Sequence, residues 1–369
     1  MKNNKERIIT ALILLIFVFA LFSIIVSSTS EISLSARSAS LYEPKTKSFI
    51  YQKNANIRLP MASTTKIMTA LVALENGNTE DIITVSSKST GIEGSSLYLK
   101  AGEKMKLGDL LYAVMLRSAN DAAAAVAEGV AGSIEAFSEL MNQKASELGL
   151  KNTHFTNPHG LDDPEHYTTA SELAIISAEA LKNSTFKEIV SSYKKIIVNT
   201  DGEERLIVNH NKLLNLYKDA IGVKTGFTKK SGRCLVGAAE RNGLMLITVT
   251  IDAPSDWNDH RTLFDLGFST LERITLASPG EFSYTLPVIN GEFESITVSN
   301  TDEFSYIKRF DEVDAIPSVQ LSRYLVAPIK KGDAVGKITF LKGKEVIGEI
   351  NLYAEQTINT IDKKGLFSR

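Results

Sequence analysis

Residues 60–71 read PMASTTKIMTAL, which places Ser63 three positions before Lys66 at the point where a helical pattern begins. From Ser63 the apolar positions Ile67, Ala70, Leu71 and Leu74 recur at helical spacing, and Asn76-Gly77 supplies a stop. A separation of three puts both side chains on one face of that helix. A serine hydroxyl attacks a carbonyl poorly unless a base takes its proton. A lysine amine becomes such a base when burial or nearby positive charge lowers its pKa. The start of a helix also offers free backbone N–H groups where an oxyanion would form. Taken alone, the pair also fits an ordinary capping serine. The same S-x-x-K pattern recurs at Ser184–Lys187, in what reads as a polar loop, and at Ser305–Lys308.

Two further motifs lie downstream. Ser118-Ala119-Asn120 interrupts an apolar helical block that runs from about Leu107 to Val130, and Ser, Asn and Asp121 each disfavour helix there. The break reads either as a turn between two helices or as a site at which Ser118 relays a proton and Asn120 positions Lys66 and a substrate carbonyl. Lys224-Thr225-Gly226 sits in flanks that read as a strand. A glycine there lets a substrate backbone pair along the strand edge, while the lysine and threonine offer hydrogen bonds to an anionic end.

Around these motifs the chain divides. Ser40 to Tyr51 reads as strand, turn and strand, and further helices are expected near 133–148 and 170–182. Strands are expected at 196–198, 206–208, 234–238 and 244–251, followed by a helix over 260–271. Strands at both ends with helices between predict one sheet built from distant segments and flanked by a helical lobe. Beyond about Leu276 helical periodicity disappears and Gly or Pro punctuation recurs, which predicts a small all-β domain. Its last strand alternates Val346, Gly348, Ile350, Leu352 and Ala354 against more polar neighbours. The expected division is an export segment over 1–30, a catalytic domain over 31–275 and a β-rich domain over 276–369.

With 43% hydrophobic residues and a net charge of −2, the chain lacks the clustered basic excess that nucleic acid would need. Lys2, Lys5 and Arg7 precede an uncharged apolar run from Ile8 to Val26, the pattern of an export segment. The run suits either cleavage, after Ser28 or Ser35, or permanent anchoring at the outer face of the cytoplasmic membrane. The protein is therefore expected to act outside the cytoplasm, anchored or secreted. Cys234, the single cysteine, excludes an intrachain disulfide and lies in an apolar stretch that reads as strand packing. The five histidines lack metal-site spacing, so no metal and no cofactor is expected. His159 and Asp162 read as parts of a structured loop, and Trp257 as packing.

The order S-x-x-K, S-x-N, K-T-G, with 55 residues from Ser63 to Ser118 and 106 from Ser118 to Lys224, makes chance agreement improbable. It resembles the pattern of penicillin-binding proteins and serine β-lactamases. The middle element, S-A-N, departs from the S-D-N of many relatives. Among them the chain is most similar to the low-molecular-mass D-alanyl-D-alanine carboxypeptidases of peptidase family S11, through PMASTTKIMTAL, LRSANDAAAAVAEGVAG, FTNPHGLDDPEHYTTASELA, GVKTGFT and GRCLVGAAERNGLMLI. That resemblance implies an α/β catalytic domain, an antiparallel five-stranded sheet with a helical lobe, and then a small β domain. It also implies removal of the terminal D-alanine from peptidoglycan stem peptides, with β-lactams as covalent inhibitors.

Carried over by position, the resemblance makes Ser63 the acylated nucleophile and Lys66 the general base, with Ser118 and Asn120 as relay pair. Lys224, Thr225 and Gly226 become the substrate-binding strand, and the backbone N–H groups of Ser63 and Phe227 the oxyanion donors. Some relatives carry histidine where this chain has Phe227. Arg233 and Arg261 are the candidates for reading a terminal carboxylate. Three rival readings stand beside this one. A cross-link endopeptidase would use the same acyl-enzyme. A serine β-lactamase would need a glutamate-activated water, and Glu165 lacks the asparagine partner of class A enzymes. A non-catalytic wall-binding module would not need all the reactive side chains that the three motifs keep.

Overall fold

The computed structural model describes residues 32–361. The expected export segment over 1–30 lies outside the described residues. Strand β1 (Ser38–Glu43) and strand β2 (Ser48–Lys53) form the expected opening hairpin. The Glu43 carboxylate accepts the backbone N–H groups of Lys45 and Thr46 and shapes its turn.

Helix α1 (Lys66–Asn76) follows a short 3₁₀ turn at Ala62–Thr65. It runs through the middle of a helical lobe, buried from Lys66 to Ala73. The two-stranded ribbon of β3 (Ile82–Thr84) and β4 (Lys104–Lys106) leads into α2 (Leu107–Tyr112). A π-helical turn at Ala113–Arg117, then Ser118 and Ala119, separate α2 from α3 (Asn120–Ala131). The six residues Ala122–Ala127 are all buried, and their small side chains let α3 pack closely on α1 and on α4 (Ile134–Glu147). Helix α5 (Ala170–Lys182) falls where a helix was expected. Residues 184–191, expected as loop, are instead α6 (Ser184–Ser191). Asn183 caps its N-terminus, and Phe186, Ile189 and Val190 bury one stripe.

The strands expected at 196–198 and 206–208 form their own hairpin, β5 (Lys194–Val198) with β6 (Glu204–Val208), and do not enter the main sheet. After the short helix α7 (Leu213–Leu216) come β7 (Ala220–Thr228), β8 (Gly232–Arg241) and β9 (Leu244–Ile251). The main sheet has the order β2-β1-β9-β8-β7 and is antiparallel throughout. Helix α8 (Asp256–Thr270) begins four residues before its expected start.

The two faces of the sheet are covered from different parts of the chain. On β9, Ile247, Val249 and Ile251 join the core under the helical lobe, while Thr248 and Thr250 hydrogen-bond the buried His260 of α8. Gly237 of β8 is required by that crossing: a Cβ there would lie 2.6 Å from His260 Nδ1 and 2.8 Å from Thr248 Oγ1.

The remaining described chain is β-rich, as expected. Strand β10 (Leu271–Ala277) pairs with β13 (Phe304–Arg309). The others, β11 (Ser283–Ile289), β12 (Ser295–Ser299), β14 (Ile316–Leu321), β15 (Leu325–Val326), β16 (Ala334–Lys342) and β17 (Glu345–Ala354), form one sheet of order β14-β16-β17-β12-β11-β15. The alternation expected along β17 holds for Ile350, Leu352 and Ala354, but Val346 is exposed. A register shift against β16, between Phe340 and Leu341, breaks the inward phase of the pleat at that end.

Candidate active site

Strand β7 is the edge of the main sheet, and its free side faces the 3₁₀ turn that carries Ser63. Their approach is close enough to dictate a residue type: a Cβ on Gly226 would lie 3.0 Å from Ser63 N and 3.1 Å from Thr64 N. Glycine is thus needed here for space. Ser63 is not a capping serine, because the first α-helical residue is Lys66 and the Ser63 hydroxyl meets a side chain instead. The preceding Ala62 has φ +47°, a conformation that L-residues avoid, so surrounding contacts must hold the turn.

Lys66 is fully buried. Its Nζ lies 3.0 Å from Ser63 Oγ, 2.6 Å from Asn120 Oδ1 and 2.5 Å from the His159 carbonyl oxygen. Burial holds its pKa well below the usual lysine range, the positive charge of Lys224 lowers it further, and Asp121 opposes both. In this arrangement Lys66 Nζ donates to all three oxygens. Once the amine is neutral, its two N–H groups stay on the carbonyl oxygens of Asn120 and His159 and the lone pair is left for the Ser63 hydroxyl proton.

Asn120 cannot rotate freely, since its Nδ2 donates to the Glu93 carbonyl at 2.6 Å and its backbone N–H to Ser95 O at 2.7 Å. That fixes Oδ1 as the end facing Lys66. Ser118 has φ +64° and ψ +30° immediately after the π turn, a left-handed residue that ends one helix and aims the next. Asp121, noted in the sequence only as a helix-disfavouring residue, is buried and accepts from Leu97 N, Leu99 N and the Ser96 hydroxyl. It pins the 95–99 segment along the cleft wall.

On the opposite wall Lys224 is also buried, and burial lowers its pKa to about 7. Its Nζ donates to the Thr225 carbonyl at 3.0 Å, and no carboxylate pairs with it among the described residues. A cleft of about 420 Å³ is lined by Ser63, Ser118, Thr225, Gly226, Phe227 and Arg233, among others. Trp257, expected as packing, also lines it. It stands where α8 starts early, and the Arg233 guanidinium lies over its ring. Arg233 Nη2 donates to both oxygens of the buried Asp256 at 2.9 Å. Arg261 is exposed on α8 and is not among the cleft residues.

The loop from His154 to Thr168 packs against the start of α1 and against β7. Besides the His159 carbonyl on Lys66, Pro158 O accepts from Thr69 Oγ1 at 2.6 Å, and Thr228 Oγ1 donates to Asp162 at 3.0 Å. His159 and Asp162 are thus parts of a structured loop that touches both the helix and the strand. Glu165 is exposed while His166 next to it turns inward, so this glutamate does not point toward Ser63 as a water-activating base would.

The family model for D-alanyl-D-alanine carboxypeptidases of the S11 peptidases matches residues 25–255, and that for the C-terminal domain of penicillin-binding protein 5 matches 271–360. The chain is 34% identical over 338 residues to D-alanyl-D-alanine carboxypeptidase DacF of Bacillus subtilis (strain 168), covering 89% of this chain and 87% of that one. It is 33% identical over 352 residues to DacC of Escherichia coli (strain K12), covering 90% and 86%. Among solved structures, penicillin-binding protein 5 from Haemophilus influenzae superposes with a TM-score of 0.65 at 26% identity, covering 90% of this chain and all of that one.

Proposed function

We infer how this site works from one premise: the chain belongs to the D-alanyl-D-alanine carboxypeptidase family of serine peptidases. It is a hydrolase that removes a terminal D-alanine, and within that activity we assign the residues as follows. Neutral Lys66 takes the proton of Ser63 as Ser63 Oγ bonds to the carbonyl carbon between the two D-alanines. The N–H groups of Ser63 and Phe227 face the resulting oxyanion. The proton then passes from Lys66, by way of the Ser118 hydroxyl, to the departing amine, the C–N bond breaks and free D-alanine leaves. Water attacks the remaining ester and its proton goes to Lys66; Lys66 then returns that proton to Ser63 Oγ as the C–Oγ bond breaks, which restores the hydroxyl and the neutral amine. Asn120 holds Lys66 and the substrate amide, while Lys224, Thr225 and Gly226 hold the substrate strand and its carboxylate, with Arg233 at the far end of the cleft.

The observation that carries this reading is the Lys66 environment: a buried amine with two carbonyl oxygens and one hydroxyl around it. The cross-link endopeptidase and β-lactamase readings are not favoured, since the relatives named above are carboxypeptidases and the loop offers no inward glutamate.

The substrate is the peptidoglycan stem peptide, and β-lactams acylate the same serine. The protein acts outside the cytoplasm, with residues 1–30 as a cleaved signal or an anchor. No helix among the described residues is long and apolar enough to cross a membrane. We place the end of the catalytic domain near residue 275; two separate family-model matches, over 25–255 and 271–360, support a division into two parts there or a few residues earlier. The assignment of Ser63 is tested by incubating the protein with penicillin and sequencing the modified tryptic peptide. A covalent adduct on Ser63 is expected; an adduct elsewhere, or none, refutes the assignment.

A further inference from the structure

Ser63 reaches its place through a strained residue, and the contacts that hold the strain lie on the side away from the cleft. Ala62, at φ +47°, turns its carbonyl oxygen toward the 154–168 loop. A Cβ on Gly160 would lie 2.0 Å from that oxygen, so only a hydrogen fits between them. The Thr65 hydroxyl donates to Ala62 O at 2.8 Å, and His166 Nε2 lies 2.7 Å from the same Thr65 oxygen. The tautomer follows from the partner on the other ring nitrogen. Thr156 N–H donates to His166 Nδ1 at 3.0 Å, so the ring proton resides on Nε2 and points to Thr65. The edge of Phe155, with ring centroids 5.7 Å apart, fixes the plane of the imidazole.

The Ala62–Ser63 peptide is trans. In a planar trans peptide the C=O and N–H vectors are opposed, so fixing the oxygen fixes the direction of the N–H. The oxygen is held from the loop side, and Ser63 N faces Gly226 of β7 on the other side. We propose that His166 and Thr65 are positioning residues that aim the Ser63 N–H into the cleft as an oxyanion donor, through a buried hydrogen-bond chain ending on Ala62 O. The proposal rests on the reading of Ser63 as nucleophile. Neither residue touches the substrate; both act through the peptide between Ala62 and Ser63. Burial keeps the imidazole neutral with a pKa of about 4, so its single ring proton stays on the chain. The charged or titratable groups around it are Asp163, His154, Lys66 and His159.

A purely structural role for these side chains would weaken ground-state binding and thermal stability together. An aiming role weakens stabilisation of the tetrahedral state selectively. The experiment separates penicillin acylation of the full chain into its non-covalent dissociation constant and its acylation rate constant. It also measures inhibition by a D-alanine-mimicking boronic acid, which forms a tetrahedral adduct on serine. Thr65→Val, which removes only the hydroxyl, and His166→Leu are expected to lower the acylation rate about 10- to 100-fold and to weaken boronate inhibition in parallel. The non-covalent constant stays within about threefold in both. Thr65→Ser, which keeps the hydroxyl, and His166→Gln, which keeps an N–H donor at similar reach, restore near wild-type rates. Should His166→Leu fail to fold, Thr65→Val carries the test. Acylation of Thr65→Val within threefold of wild type overturns the proposal, as does equal weakening of the non-covalent constant and the rate. A wild-type chain that penicillin does not acylate refutes the nucleophile assignment itself, which is a separate result.

Discussion

Two buried lysines close enough to feel each other's charge, with opposite requirements, set the expected pH dependence. Lys66 must be neutral to accept the Ser63 proton, so kcat/KM rises as pH climbs through its lowered pKa. Lys224 must be charged to hold a carboxylate, so kcat/KM falls as pH passes its pKa of about 7. The free enzyme is therefore expected to show a bell-shaped profile. Bound carboxylate favours the charged lysine, so the alkaline limb of kcat lies above that of kcat/KM. Lys224→Arg is expected to move the alkaline limb upward, because the guanidinium does not titrate in this range. Lys224→Gln removes the charge that helps depress Lys66 and moves the acid limb upward. A profile in which neither limb responds contradicts the pairing. At Asn120, replacement by alanine removes both the acceptor for Lys66 and the donor to Glu93 O, and a loss of about 10²-fold in acylation rate is expected. Stopped-flow acylation with a chromogenic β-lactam measures it.

Among the elements, the close approach of the Ser63 turn, the edge strand β7 and the 154–168 loop explains why two glycines are required. Gly160, at φ +88° and against Ala62 O, has room for no side chain, so Gly160→Ala is expected to cost at least about 2 kcal/mol in unfolding experiments. Gly226→Ala has ordinary backbone angles to satisfy but pushes β7 off Ser63 N. Its expected effect is a large fall in acylation with a small change in melting temperature. The reverse pattern at either glycine would show that space is not the constraint.

At this level the sequence was partly legible. The helix over 66–76 follows from apolar periodicity and its Asn-Gly stop, the helix over 170–182 falls where one was expected, and the opening hairpin follows the strand, turn and strand read over 40–51. Residues 184–191 carry a short apolar stripe that the polar Ser-Thr and Lys-Glu pairs mask. The hairpin of β5 and β6 has the composition of a sheet strand, but pairing partners are a tertiary choice that composition does not encode. Trp257 reads as core in any linear view, because its place in the cleft depends on α8 starting early and on Arg233, 24 residues upstream, crossing its ring.

For the molecule as a whole, the three motifs span 161 residues from Ser63 to Lys224, and their spacing does not state that they meet. They converge because β1 and β9, from opposite ends of the catalytic part, share the middle of one sheet, which sets β7 beside the start of α1. The residue types of the site were legible in the three motifs. The loop behind it was legible only as a structured segment, since His166 and Gly160 meet Thr65 and Ala62, about a hundred residues earlier in the chain. Beyond α8, strand β10 pairs with β13 of the β-rich part and not with the main sheet. A chain ending at Thr270 is accordingly expected to fold and to be acylated by penicillin within about tenfold of the full rate. Aggregation or loss of acylation would show that the β-rich part is needed for the site.

The central claim is a hydrolytic release of D-alanine that depends on Ser63. Free D-alanine released from diacetyl-lysyl-D-alanyl-D-alanine should appear with the wild-type protein, be abolished by prior incubation with penicillin, and be absent in Ser63→Ala. Release that persists in Ser63→Ala, or that penicillin leaves untouched, would contradict the account.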